Sequence, residues 1–238
     1  MKRDPPVSGG ASTFTPRHRL KDAYWVKTFK WYLYKRRFGS RQWMTRYLFD
    51  GCLRRLTADD LVIDCGANLG EFTLAFARTG ARVHAFEPDP YTFERLRNHT
   101  AQLPNVTCHR CAVGVAAGRI RLYRRKGFEN DPGSASKSSS VFADKLNVDV
   151  NHAVEVEQID LAEFLTSLGR PTRVLKMDIE GAEVPVLERL IDSGAIHCCE
   201  LVFAETHETR IPSLADRTAR LRRAAEQSFA GTLFLDWH

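Results

Sequence analysis

The chain has 238 residues, 43% of them apolar, which is enough for one sizeable α/β domain with an appendage and excludes more than two small domains. Its formal charge of +6 is uneven: residues 1–60 hold 14 Lys/Arg against 5 Asp/Glu, a net of +9, and the other 178 residues carry −3. Lys or Arg interrupts every candidate for the roughly 18 uncharged apolar residues of a spanning helix, and no apolar signal segment follows Met1-Lys2-Arg3-Asp4-Pro5-Pro6, so the expectation is a cytoplasmic protein, soluble or peripheral to the inner face of the membrane.

Residues 1–16 are rich in Pro, Ser, Gly and Thr without an apolar period and read as a disordered lead-in. Residues 17–56 form a basic aromatic arm, predicted as two or three short helices broken near Gly39-Ser40. In it Tyr24, Trp25, Phe29, Trp31, Tyr32, Tyr34, Phe38, Trp43 and Tyr47 interleave with cations. Such an arm suits three roles: packing its rings on a sheet while the cations reach water, lying on an anionic membrane surface through residues 24–56, or stacking on single-stranded RNA.

From residue 57 onward apolar runs alternate with helical patterns, which implies βαβ units and a mostly parallel central sheet flanked by helices. Leu61-Val62-Ile63 is the first strand, Glu71 to Arg78 a helix, Val83 to Phe86 the second strand, Tyr91 to Leu103 the second helix and Val106 to Val113 a third strand. Arg119 to Tyr123 and Val154 to Val156 alternate as an antiparallel pair would, around a loop from Gly127 to Ser140 whose serines could close over a ligand. Asp160-Leu161-Ala162-Glu163 is a capping box that starts a short helix. Val174 to Met177 is a core strand, Glu183 to Ile191 a helix with Gly194 past its end, Glu200 to Ala204 a strand, Pro212 to Phe229 a basic amphipathic helix and Leu233 to Leu235 a last strand.

The segment from Asp64 through Cys65, Gly66, Ala67, Asn68 and Leu69 to Gly70 places a glycine turn between strand and helix, the place where an open parallel sheet binds nucleotides. Gly66 permits close approach of the backbone and Gly70 tight packing of helix on strand. Glu87, followed by Pro88, stands at the end of the second strand about 20 residues downstream, where a carboxylate accepts both ribose hydroxyls and repels a 2′-phosphate. Asp64 suits a ligand that carries an ammonium group, which favours S-adenosylmethionine over NAD.

Three stretches together resemble the FkbM-type methyltransferases: Asp64 to Gly70, Phe86-Glu87-Pro88, and Leu175-Lys176-Met177-Asp178-Ile179-Glu180-Gly181-Ala182-Glu183. The resemblance covers about Leu61 to His207 and includes the turn Ala112-Val113-Gly114. It implies a Rossmann-like class I methyltransferase fold, S-adenosylmethionine as donor, and a hydroxyl on a sugar, glycan or related natural product as acceptor. RNA methylation through the basic arm is the alternative, although no Asn-Pro-Pro-Tyr-type or paired-cysteine motif for base methylation occurs. With three residues after Leu235, the fold's final antiparallel strand is not expected, and the edge of the sheet is expected to be shortened.

Methyl transfer to an alcohol requires in-line positioning and one base. Asp178 and Glu180 lie at the carboxyl edge of a core strand, the edge of Asp64 and Glu87. Asp178 is the leading candidate for base and His207, between Glu205 and Glu208, the second. Lys176 is expected to contact the acceptor or an acid. The Asp, Glu and His set has donors for a divalent cation, but spacing does not separate that from acid-base work and no metal is assigned. Cys52, Cys65, Cys108, Cys111, Cys198 and Cys199 read as reduced core thiols.

Overall fold

The computed structural model describes residues 41–131, 136–229, 231–235 and 237. The expectations for the lead-in and for the arm before residue 41 lie outside these residues. The remainder of the arm contains helix α1 (Arg41–Leu53). Phe49 of α1 meets Phe72, Phe76 and Phe203 edge-on at 5.6, 5.7 and 5.3 Å, and Cys52 and Leu56 join the same apolar cluster. Burying one such phenylalanine contributes about 2–3 kcal/mol, so this stretch of the arm packs its apolar side onto the sheet.

Strands β1 (Leu61–Cys65), β2 (Arg82–Phe86) and β3 (Val106–His109) alternate with helices α2 (Glu71–Ala77) and α3 (Pro90–Thr100). β4 (Ala112–Gly114), β5 (Gly118–Arg125) and β6 (Val148–Asp160) follow, then α4 (Leu161–Ser167), β7 (Thr172–Met177), α5 (Glu183–Asp192), β8 (Cys199–Ala204), α6 (Ala215–Ser228) and β9 (Leu233–Phe234). Among the described residues the main sheet has six strands in the order β3-β2-β1-β7-β8-β9, every neighbouring pair parallel. This is the mostly parallel, helix-flanked architecture expected of the methyltransferase fold. The chain order reverses between β1 and β7, which opens a crevice beyond their carboxyl ends.

One predicted strand divides in two. Val106 to Val113 breaks at Arg110 and Cys111, and its second half, β4, joins a separate sheet of order β4-β6-β5. Ala112 and Val113 therefore reach the crevice from a strand parallel to the end of β6, not from a turn. β5 and β6 pair antiparallel as their alternation predicts. Helix starts follow the caps: Asp160 Oδ1 accepts from the backbone N of Ala162 and Glu163 at the head of α4, and Asp89 Oδ1 from those of Tyr91 and Thr92 at the head of α3. Asp89 Oδ2 takes Arg124 Nε of β5 at 2.8 Å, tying the second sheet to the rim of the first. The six cysteines are free thiols, and no helix among the described residues is long and apolar enough to cross a membrane.

Candidate active site

A cavity of about 260 Å³ lies at the switch point. Gly66, Ala67, Asn68, Glu87, Pro88, Ala112, Val113, Lys176, Asp178 and Glu180 all line it, as the sequence led one to expect. Phe86, Cys111, Leu122 and Val141 add apolar wall, and Ser136 and Ser139 come from the serine-rich loop. Phe86 belongs to a stretch the resemblance named and the serines to the loop expected to close over a ligand, whereas Cys111, Leu122 and Val141 carry no sequence signal for the site. Gly70 sits behind the cavity with φ 95°, and a Cβ there would press on Leu96 at 3.0 Å, so its role is helix packing. At Gly66, φ 76°, a Cβ would lie 1.8 Å from the Asp178 carbonyl oxygen. That glycine lets the turns after β1 and β7 touch.

The glycine turn satisfies its own donors. Gly66 N and Ala67 N both donate to Phe86 O at 3.0 and 2.9 Å, and Gly70 N to Ala67 O at 2.9 Å. Leu69 N donates to Asn68 Oδ1 at 2.8 Å. Asn68 N donates to Glu87 Oε2 at 3.0 Å, while Asp89 N holds Oε1 at 2.9 Å. Glu87 is thus fixed at the end of β2 with lone pairs left on both oxygens. Burial pushes its carboxyl up to about 8, with the neighbouring Asp89 charge adding to burial and the two N–H groups opposing it.

Asp64 corrects one expectation. It is 0% exposed, holds Lys176 Nζ at 3.1 Å and Thr73 Oγ1 at 2.7 Å, and does not line the cavity. An ammonium in the cavity therefore does not meet it. Asp64 and Lys176 are register partners on adjacent strands, which points both side chains to the same face. Lys176 Nζ also donates to Gly66 O at 2.9 Å and lies over the rings of Phe72 and Trp237. Burial works most strongly against its ammonium, yet the Asp64 and Asp178 carboxylates together outweigh it and hold its pKa above that of an ordinary lysine. Of the two expected contacts for Lys176, the structure gives the acid. Lys176→Met should cost about 3–5 kcal/mol by stranding Asp64 without its partner. Asp64→Leu combined with Lys176→Met should recover most of that in thermal unfolding. A single variant as stable as the wild type would refute the pairing.

The turn after β7 brings the acids together. Glu183 is buried and accepts from Ile179 N and Gly181 N, closing the turn at the head of α5. Glu180 adopts φ 58°, a left-handed conformation rare for a residue with a Cβ. His207, 3% exposed, lies between them, with Nε2 3.1 Å from Glu180 Oε2 and Nδ1 3.3 Å from Glu183 Oε1. Asp178 Oδ1 and Glu205 Oε1 are each 3.8 Å from Nε2.

Burial disfavours the charged ring, but the Glu180 and Glu183 carboxylates beside it prevail and push His207 up to about 11. That favours the cation at neutral pH and argues against His207, and for Asp178, as the base. Of the two sequence neighbours expected to orient it, Glu205 stays 3.8 Å from Nε2 while Glu208 turns away to Arg222 at 3.1 Å, and the nearer partners come from the β7 turn. Glu180 is likewise no base: burial would raise its carboxyl, yet His207 and Lys145 hold it below the ordinary carboxylate range. Asp178 differs. Burial pushes it up to about 6, with Lys176 opposing and Glu205, Glu180 and Glu183 adding to the rise.

Asp178, Glu180 and His207 each bring a potential ligand atom within 4.8 Å of the others. The Lys145 ammonium also lies on Glu180.

A sequence profile described as the methyltransferase FkbM domain matches residues 64–226. The chain is 33% identical over 171 residues to methyltransferase 1 of Beauveria bassiana, covering 60% of this chain and 66% of that one. It is 30% identical over 236 residues to the 31-O-demethyl-FK506 methyltransferase FkbM of Streptomyces tacrolimicus, covering 82% and 87%. To the hexuronic acid methyltransferase AglP of Haloferax volcanii it is 28% identical over 157 residues, covering 65% and 59%. The chain thus spans just under two thirds of the Beauveria protein and less of the Haloferax one.

Proposed function

The chain belongs to the FkbM methyltransferase family, and from that premise we propose that it is an S-adenosylmethionine-dependent O-methyltransferase acting on a hydroxyl of a sugar, glycan or related natural product. The observation that carries the choice of donor is the inward turn of the Gly66 to Gly70 amides. A pyrophosphate needs free N–H groups at such a turn. Here those of Gly66, Ala67, Asn68, Leu69 and Gly70 are bound to Phe86 O, Glu87, Asn68 Oδ1 and Ala67 O. The turn thus fits a nucleoside without phosphates, whose ribose hydroxyls donate to Glu87.

Asn68 and Pro88 flank the ribose, and Phe86, Ala112, Val113 and Leu122 offer an apolar slot for the adenine. The acids of the β7 turn, Asp178 and Glu180, take the side of the cavity where the sulfonium and its ammonium group would lie, in the place first expected of Asp64. S-adenosylmethionine held there would supply a methyl group to the acceptor oxygen, the carbon–sulfur bonding pair returning to sulfur. Asp178 receives the hydroxyl proton. Positioned near its own pKa of about 6, it can be ionised at neutral pH and still accept a proton as the oxygen gains its methyl. Protonated His207 holds Glu180 and Glu183 in place and limits the negative charge around Asp178.

Two relatives support the acceptor class by their names, one for an O-demethyl natural product and one for a hexuronic acid. Incubation with methyl-labelled donor and separated glycan, small-molecule, lipid and RNA extracts tests it. Label in glycans or hydroxylated small molecules is the expected result. Label confined to RNA would overturn the acceptor class and restore the nucleic-acid reading of the arm.

A further inference from the structure

The described part of the serine-rich connection between β5 and β6 carries a cation that the proposed reaction has not yet used. Lys145 is 2% exposed, and its Nζ donates to Ser138 O at 3.0 Å and to the Glu180 carboxylate. Five residues earlier Ser140 Oγ donates to the Glu180 carbonyl oxygen at 2.6 Å, and Ser140 exchanges both backbone hydrogen bonds with Tyr123 of β5. One connection thus grips both the side chain and the carbonyl of the residue whose backbone is left-handed.

An ammonium shut away from water is costly unless it is paired, and a loop that only spans two strands has no use for one. Its placement answers a need of the site. Asp178 is faced by Glu180 on its own turn, Glu183 on α5, Glu205 and His207 after β8, and Lys176 on β7, itself bound to Asp64. Carboxylates so close repel one another, and an unneutralised Glu180 would compete with Asp178 for the proton.

We propose that Lys145 is a positioning residue for methyl transfer: by neutralising and clasping Glu180 it leaves Asp178 as the carboxylate that receives the hydroxyl proton. The inference rests on the methyltransferase reading above. A loop-anchoring role predicts something different, because an anchor does not require Glu180 to be charged.

Three variants decide between them: Lys145→Met, Lys145→Arg and Lys145→Met combined with Glu180→Gln. Each is followed by kcat and KM against pH, with calorimetry of the donor as a control for folding. Lys145→Met should lower kcat at pH 7 roughly twofold and at pH 6 more, as less of Asp178 is ionised, with little change in KM. The acidic limb of its profile should move up by about one pH unit. Lys145→Arg should retain part of the activity. The double variant, having lost both charges, should return the limb close to its wild-type position and should unfold at a higher temperature than Lys145→Met. An unmoved limb in Lys145→Met, or a double variant no better than the single one, overturns the proposal. If Lys145→Met fails to fold, a folded double variant with a near-wild-type limb supports it and one whose limb stays displaced overturns it. Wild-type protein that methylates no acceptor sinks the functional reading instead, and the unfolding comparison then decides whether the two charges are coupled.

Discussion

Asp178→Asn is expected to transfer methyl groups roughly 10²–10⁴-fold more slowly, with a smaller loss of donor affinity from the missing charge beside the ammonium group. The substitution keeps the shape of the side chain and removes its capacity to accept a proton. It should leave the turn intact, because the turn is fixed by Asp178 N on Cys65 O at 3.1 Å and by the Glu183 carboxylate on Ile179 N and Gly181 N. The pH profile separates loss of a base from loss of shape. A base works when ionised, and burial pushes Asp178 up to about 6. At saturating donor, wild-type kcat should therefore fall as pH drops through about 6 and be flat above it, whereas the residual rate of the variant should lack that limb. A variant with wild-type kcat would hand the proton to another group, such as Glu205 near His207 Nε2, or to water.

The parts of the site that were legible in sequence are those where one local pattern fixes position. An apolar run, a glycine turn and an amphipathic helix place Gly66 to Gly70 at the carboxyl end of β1 whatever the rest of the chain does. The same holds for Glu87 at the end of β2. The β7 turn was legible through its resemblance to a family. What the pattern could not give was the direction of a strand-end side chain. Asp64 could face a ligand or a helix, and the choice was made by the β1–β7 register, which sets Lys176 beside it. That register depends on strand order and leaves no mark on either segment. The division of Val106 to Val113 was hidden for a similar reason, since apolar residues continue while the chain passes from one sheet to another.

The charges around His207 were hidden more deeply. Glu205 and Glu208 flank it in sequence, but its strong partners come from the turn 24–27 residues earlier in the chain, and their grip turns an apparent base into a cation. Lys145 had no signal at all, being one lysine in a polar connection.

Glu87→Ala is expected to weaken donor binding by roughly 10²–10⁴-fold, because it removes two charge-assisted hydrogen bonds to the ribose, each worth about 1.5–3 kcal/mol. It also frees Asn68 N and Asp89 N from the carboxylate that holds the turn and the head of α3 in register. Calorimetry with S-adenosylmethionine measures the loss. Unchanged affinity would remove Glu87 from the ribose site. The pH dependence offers a finer test, best read with 5′-methylthioadenosine, which keeps the ribose and lacks the titrating amino acid. Burial pushes Glu87 up to about 8 in the free protein, so at neutral pH its proton must leave before two hydroxyl donors can be accepted. The sign follows from that order: affinity rises with pH through about 8 and levels above it, with a slope below of up to tenfold per unit. Glu87→Gln cannot ionise, and its amide sets N–H against the amides of Asn68 or Asp89, so it should bind weakly with no such slope. A wild-type protein whose affinity is flat from pH 6 to pH 9 would mean that the ribose does not draw on the Glu87 charge, and that the acid serves only to close the turn.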